Sequence, residues 1–246
     1  MTFFVFSCII TSICSLIFGI FIYLQNRKSS LNKIWFLMNF AVFLWSFGLF
    51  KVITAQNLKS AFFWQCLLDI SAIFIPVFFF HFTLNFLDLL RLKKYKLQLF
   101  IFYFWTFFLA FISPFSIFKK GLAPIFEFKF WVIPGPFYIL FPLTFLILAA
   151  YSLFLLIQNY STTKGVQRKQ INYILLAALT GFGGGATNFF PQLIKIYPFG
   201  NFFVILYLFF VILAITRYHL FGIRVLLTEL LVGVVGIVLL IFSLVG

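Results

Sequence analysis

The chain has 246 residues, of which 64% are hydrophobic and 9% charged, and its mean hydropathy is +1.17. A soluble domain averages about 25% charged residues, so a water-soluble fold is excluded and lipid must be the solvent for most of the length. The net charge of +14 does not mark a nucleic-acid binder, because the basic residues sit in gaps of a few residues between apolar runs, as topology signals and headgroup contacts do.

Eight apolar runs follow one another at 2–24, 34–54, 61–86, 97–115, 137–158, 171–190, 202–216 and 225–245. Each is near the roughly 20 residues that a helix needs to cross the hydrocarbon. Barrel strands would be about 10 residues long with polar/apolar alternation, and that pattern is missing. The predicted fold is an all-α polytopic membrane bundle. The first run follows Met1 directly, with no basic segment before it and no small-residue cleavage site after it, so it reads as a retained helix.

The gaps alternate in charge. Those at 25–33, 87–96, 159–170 and 217–224 carry twelve basic residues, and those on the other side carry six. The positive-inside rule puts the richer set in the cytoplasm and the N-terminus outside. The longest outer gap, 116–136, holds Pro124, Trp131, Pro134 and Pro136. It reads as an interfacial loop, with a lid over a ligand as the alternative. The eighth run ends at Gly246 without a polar flank, so a ninth span and a cytoplasmic domain are expected beyond it.

The third run contains Asp69, with Gln65 one turn before it and Cys66 at i−3. An ionisable group within a spanning helix points to function by default. Asp69 and Gln65 are candidates to line a pocket open to the outside. The structural alternative is packing against a neighbouring helix, or pairing with Lys51. His81 is 120° away from the Asp69 face on an ideal helix, so a joint relay would need a kink such as Pro76 could supply. Asn188 and Gln192 are i, i+4 neighbours at the outer end of the sixth run. They either cap that helix before Pro191 or face the same cavity as Asp69. Gly183, Gly184 and Gly185 suit a close helix crossing or a hinge. Cys8, Cys14 and Cys66 lie within apolar runs with no metal-ligand spacing. No metal site, cofactor or catalytic residue is assigned.

Specific punctuation fills the second half. Gly165, Arg168, Gln170 and Tyr173 stand in GVQRKQINY; GFGGGATNFFP carries the glycines, Asn188 and Pro191; YPFGN precedes the seventh run; and AITRYHLFGIR closes it with Arg217 and Tyr218. This order resembles the seven-helix N-terminal sensor region of bacterial histidine kinases. Asn39, Trp45, Gly48, Trp64, Pro76 and Phe82 are compatible with it in the first half. The resemblance covers about residues 1–224. It implies a sensor domain there, followed by an additional helix at 225–246 leading to an output domain. It implies Gly183, Gly184, Gly185, Pro191, Arg217 and Tyr218 as structural or signalling residues. It further implies an unidentified small-molecule or membrane signal, a homodimer in the full-length form, and a bacterial cytoplasmic membrane. His219 lacks the residue pattern of a phosphoacceptor box, so the chain itself is not expected to be an enzyme. A small transporter or channel is the alternative function. A lipid-modifying enzyme is a third reading, disfavoured by four acidic residues and two histidines scattered over different depths.

Overall fold

The computed structural model describes residues 2–222. The expected eighth span, at 225–245, lies outside the described residues. Six helices among those described are long and apolar enough to cross a membrane. They are α1 (Thr2–Gln25), α2 (Ser30–Ile53), α3 (Leu58–Phe86), α4 (Lys93–Ile112), α5 (Leu140–Thr162) and α6 (Gly165–Ala186), the last continuing through a 3-10 turn into the short α7 (Phe190–Ile194). A seventh apolar helix, α8 (Leu206–Tyr218), follows a 3-10 segment at Phe199–Phe203. Helices satisfy their own backbone, as a spanning segment in lipid requires.

Local chemistry marks the joints. Ser29 caps α2 by accepting from the Asn32 N–H at 3.3 Å, and Asn57 caps α3 by accepting from the Ser60 N–H at 2.9 Å. These side chains satisfy N–H groups that have no partner within the helix. α5 and α6 reach further into the basic gap than expected and leave only Thr163 and Lys164 between them. Polar residues such as Gln158 and Asn159 end an apolar run without ending a helix. Pro191 sits in the first turn of α7, where its missing N–H costs nothing.

α3 is central: it packs against α2, α4 and α5, while α1 lies on α2 and α6 lies on α5 and α8. α4 is peripheral. Its Phe100, Phe104, Phe107 and Phe111 are all exposed, and their 4-3-4 spacing makes one stripe facing lipid. Polar pins hold the interior. The Tyr207 hydroxyl is 2.8 Å from both Ser15 Oγ and Asn39 Oδ1, which joins α8 to α1 and α2. Asn32 and Ser46 of α2 donate to the Ile22 and Cys8 carbonyls of α1 at 2.8 Å.

One element is absent from the sequence-based list. Residues 119–134 form an antiparallel hairpin, β1 (Lys119–Ile125) and β2 (Phe128–Pro134), joined by a two-residue loop in which Phe126 takes a φ of 52°. The hairpin caps the bundle end opposite the basic joints, hereafter the hairpin end. Its base is held by Gly135, whose N–H donates to the Phe118 carbonyl at 2.7 Å. A Cβ on Gly135 would stand 2.6 Å from the Ile117 carbonyl oxygen, so the return strand closes only with glycine there.

The glycine cluster divides by face. Successive helical residues are 100° apart, so three adjacent glycines cannot share one contact. A Cβ on Gly184 would meet the Gly200 carbonyl oxygen at 2.5 Å and the Val204 nitrogen at 3.1 Å. On Gly185 it would touch Phe145 at an ordinary 3.6 Å, and on Gly183 it would meet nothing within 4 Å. The close crossing expected of all three belongs to Gly184 alone. Gly184→Ala should therefore lower the thermal unfolding midpoint in detergent, because both clashing groups are backbone. Gly183→Ala should hold or raise it, since Ala favours a helix over Gly by about 1 kcal/mol. Equal effects in the two variants would contradict the assigned crossing.

Candidate functional site

Asp69 lies about 16 Å along α3 from Leu58 at 1.5 Å per residue. Its Oδ1 accepts from Gln65 Nε2 at 2.8 Å. Its Oδ2 is 2.7 Å from Lys119 Nζ, and the two side chains are 1% and 0% exposed. Lys119 is the first residue of β1, so the carboxylate of a spanning helix is neutralised by the hairpin. The ammonium also lies 5.2 Å from the centre of the Phe62 ring, a further favourable contact for a cation. Lys51, the partner weighed from sequence, does not pair with Asp69. It lies 5.4 Å from the centre of the Trp64 ring. Lys119 reads in the sequence as one more charge of an outer gap. Nothing local shows that a residue 50 positions downstream folds back into the bundle.

Beside this ion pair lies a cavity of about 100 Å³. Its polar wall gathers Gln65, Asp69, Tyr138, Asn188 and Gln192 at the hairpin end. All four residues singled out from sequence as candidate ligand contacts therefore line one space. Asn188 also donates from Nδ2 to the Gly185 carbonyl at 3.1 Å, so it caps α6 and faces the cavity together. Gln192 is a bridge. Its Oε1 accepts from Trp131 Nε1 of β2 at 2.6 Å, and its Nε2 donates to the Tyr138 hydroxyl at 2.7 Å. Trp131 and Val132 of β2 line the cavity. The hairpin is thus part of the cavity wall and is held by polar contacts of Lys119 to α3, of Trp131 to α7, and of Lys129 Nζ to the Gln56 carbonyl at 3.1 Å. A further contact lies at its tip, where Tyr197 donates to Glu127 at 2.8 Å. Partial burial and the Glu127 carboxylate push the Tyr197 phenol up to about 12, so it remains a donor at physiological pH.

Deeper, the wall is apolar and largely aromatic, through Trp45, Phe79, Phe145 and Tyr207 to Trp35. Trp35 is also, with Phe82, a point of contact with the segment after α8. Its ring lies 4.9 Å from Phe82 and 5.3 Å from Phe221. At the same end, Gln170 Nε2 donates to the Tyr218 carbonyl at 2.9 Å, and the Tyr173 and Tyr218 rings are 5.5 Å apart. The start of α6 is thereby fastened to the end of α8. Arg217 is exposed. His81 does not join the cavity: its Nδ1 is 2.8 Å from the Tyr103 hydroxyl of α4, on another face of α3. Among the described residues no group of three His, Cys, Asp or Glu side chains converges as a metal site would require. Tyr138 and Lys119 are wall and lid residues that sequence reasoning did not single out, whereas Trp131 stood out as an aromatic in a long gap for which a lid was the alternative reading.

The sequence matches the family described as the N-terminal 7TM region of histidine kinase over residues 7–224, and the chain belongs to that family. No curated protein and no solved structure matches it. The chain is therefore a multi-pass membrane protein whose matched region is a sensor input module, not a catalytic domain.

The ion pair makes a specific demand. Removing one partner of a buried pair costs about 3–5 kcal/mol, because the other charge is left uncompensated. Asp69→Asn should lower the unfolding midpoint markedly. Adding Lys119→Met should recover most of the loss, and adding Lys51→Gln should recover none. Rescue by Lys51→Gln, or an Asp69→Asn protein as stable as the parent, would contradict the assigned partner.

Proposed function

We propose that this chain senses a small molecule in the cavity between the hairpin and Trp35, and passes the occupied state to the segment beyond α8. Residues 1–224 act as the sensor domain, with the N-terminus and hairpin outside a bacterial cytoplasmic membrane and the basic joints in the cytoplasm. Gln65, Asp69, Asn188 and Gln192 contact the ligand. Gly183, Gly184, Gly185 and Pro191 shape α6 and its turn. Arg217 and Tyr218 begin the output path toward a kinase-type domain in a dimeric full-length form.

The observation that carries this reading is the shared use of Trp35. It lines the cavity, and it packs against Phe221 in the turn that follows α8. A ligand that favours one packing of the wall would favour one position of that segment. This is a population shift needing only a difference in affinity between two arrangements. Helix shifts of about 1–2 Å are enough in other switches.

Two measurements test the reading. For orientation, Lys28→Cys should resist an impermeant thiol reagent applied to intact cells, while Ser116→Cys should react. Both variants are made in a Cys66→Ala background, which serves as the blank, since Cys66 is partly exposed whereas Cys8 and Cys14 are buried. The opposite pattern would overturn the topology. For coupling, an environment-sensitive fluorophore is placed at Arg217→Cys. Ala72→Leu, which fills the cavity from α3, should shift its emission. Phe63→Leu, at an exposed position on the same helix, should not. Identical spectra in the two variants would mean that the cavity does not communicate with the exit.

A further inference from the structure

The chemistry of the wall narrows what the cavity accepts; this step rests on the reading of the cavity as the sensor's ligand site. We infer that the ligand is a small uncharged molecule with a ring-sized apolar body and one hydrogen-bonding group, such as a hydroxyl, placed at the hairpin end.

Charge comes first. Asp69 is the one charged residue in the wall among the described residues, and its carboxylate already holds the Lys119 ammonium at 2.7 Å. The site is therefore neutral as built. A cationic ligand would have to displace Lys119, and an anionic one would face the carboxylate with no free cation in the wall. Either case leaves a buried charge without compensation.

Size and shape follow. A 150 Å³ apolar cavity in another protein admits benzene. The cavity here, at about 100 Å³, is of that order and suits a single ring once the lid adjusts. Ten of its 27 wall residues are aromatic, which favours offset or edge-on contact with a planar body.

Hydrogen bonding sets the head group. The polar end keeps groups of both kinds to spare. Gln65 and Gln192 each commit one N–H, to Asp69 and to Tyr138, and each amide nitrogen carries a second. Gln65 Oε1 accepts from no group among the described residues, and each Asp69 oxygen, with two lone pairs, takes one bond there. A hydroxyl, which both donates and accepts, satisfies either kind. A bare hydrocarbon does not.

The test uses the full chain in nanodiscs and a set of near-isosteric probes: benzyl alcohol, toluene, benzoate and benzylammonium. The readouts are the thermal unfolding midpoint and saturable quenching of tryptophan fluorescence. The expected result is a concentration-dependent rise in midpoint and saturable quenching with benzyl alcohol. Toluene should bind more weakly, and the two ions at least about tenfold more weakly. Ala72→Leu and Ala178→Leu, which fill the cavity from α3 and α6, should abolish the benzyl alcohol effect. Simple partitioning into lipid would survive both changes and would not saturate. Should an ion bind saturably as well as the alcohol, the ligand class is wrong while the cavity remains a site. Equal binding of toluene would remove the hydrogen-bonding requirement. If none of the probes binds saturably, the proposal and the site reading fall together.

Discussion

A buried carboxylate in a lipid-solvated bundle has to be neutralised, and here the neutralising charge comes from outside the bundle. Lys119 enters from the hairpin and meets Asp69 at 2.7 Å with both side chains withdrawn from solvent. Such a pair does little for net stability compared with an apolar replacement. What it does is specify position. Neither group tolerates separation, so β1 is registered on α3 and β2 is brought over the helix ends. There Trp131 finds Gln192, and Val132 closes the wall. The cavity is thus created by a loop element that a different pairing would place elsewhere. The same pair leaves the cavity electrically neutral while keeping polar atoms at one end.

The opposite end of the cavity has a different physical character. Rings join the Gln170–Tyr218 hydrogen bond there: Trp35 against Phe82 and Phe221, and Tyr173 against Tyr218. Aromatic contacts of this kind are individually modest. In the middle of the bundle, Ser15, Asn39 and Tyr207 are hydrogen-bonded and Gly184 meets Gly200 with no room for a side chain.

The helices were legible in the sequence because a span announces itself by length and apolarity. Their ends were less so. α5 runs to Thr162 and α6 starts at Gly165, because glutamines and asparagines at the headgroup level continue a helix as readily as they leave one. The hairpin was hidden. FKFWVIP buries Phe128, Phe130, Trp131 and Val132 and so lacks the strict alternation that marks a half-exposed strand, while Pro and Gly in the gap read as loop. Asp69, Gln65, Asn188 and Gln192 stood out as polar residues in apolar surroundings, yet their convergence depends on how the bundle brings α3 and the turn from α6 into α7 to one cavity. Lys119 carried no signal at all: within a gap, a lysine that neutralises a buried acid looks the same as one that rests among headgroups.

The central claim is that this ion pair, more than the hairpin's other contacts, sets its position over the cavity, and its most direct test is a distance. Spin labels at Phe126→Cys on the hairpin tip and Lys93→Cys at the far end of α4 report the hairpin's position by pulsed electron resonance. The parent should give one narrow distance distribution. Lys119→Met should broaden it and move it to longer distance, as the hairpin lifts from α3. Superimposable distributions, with Lys119 replaced and the fold intact, would show that the hairpin is held by its other contacts and that the ion pair does not position it.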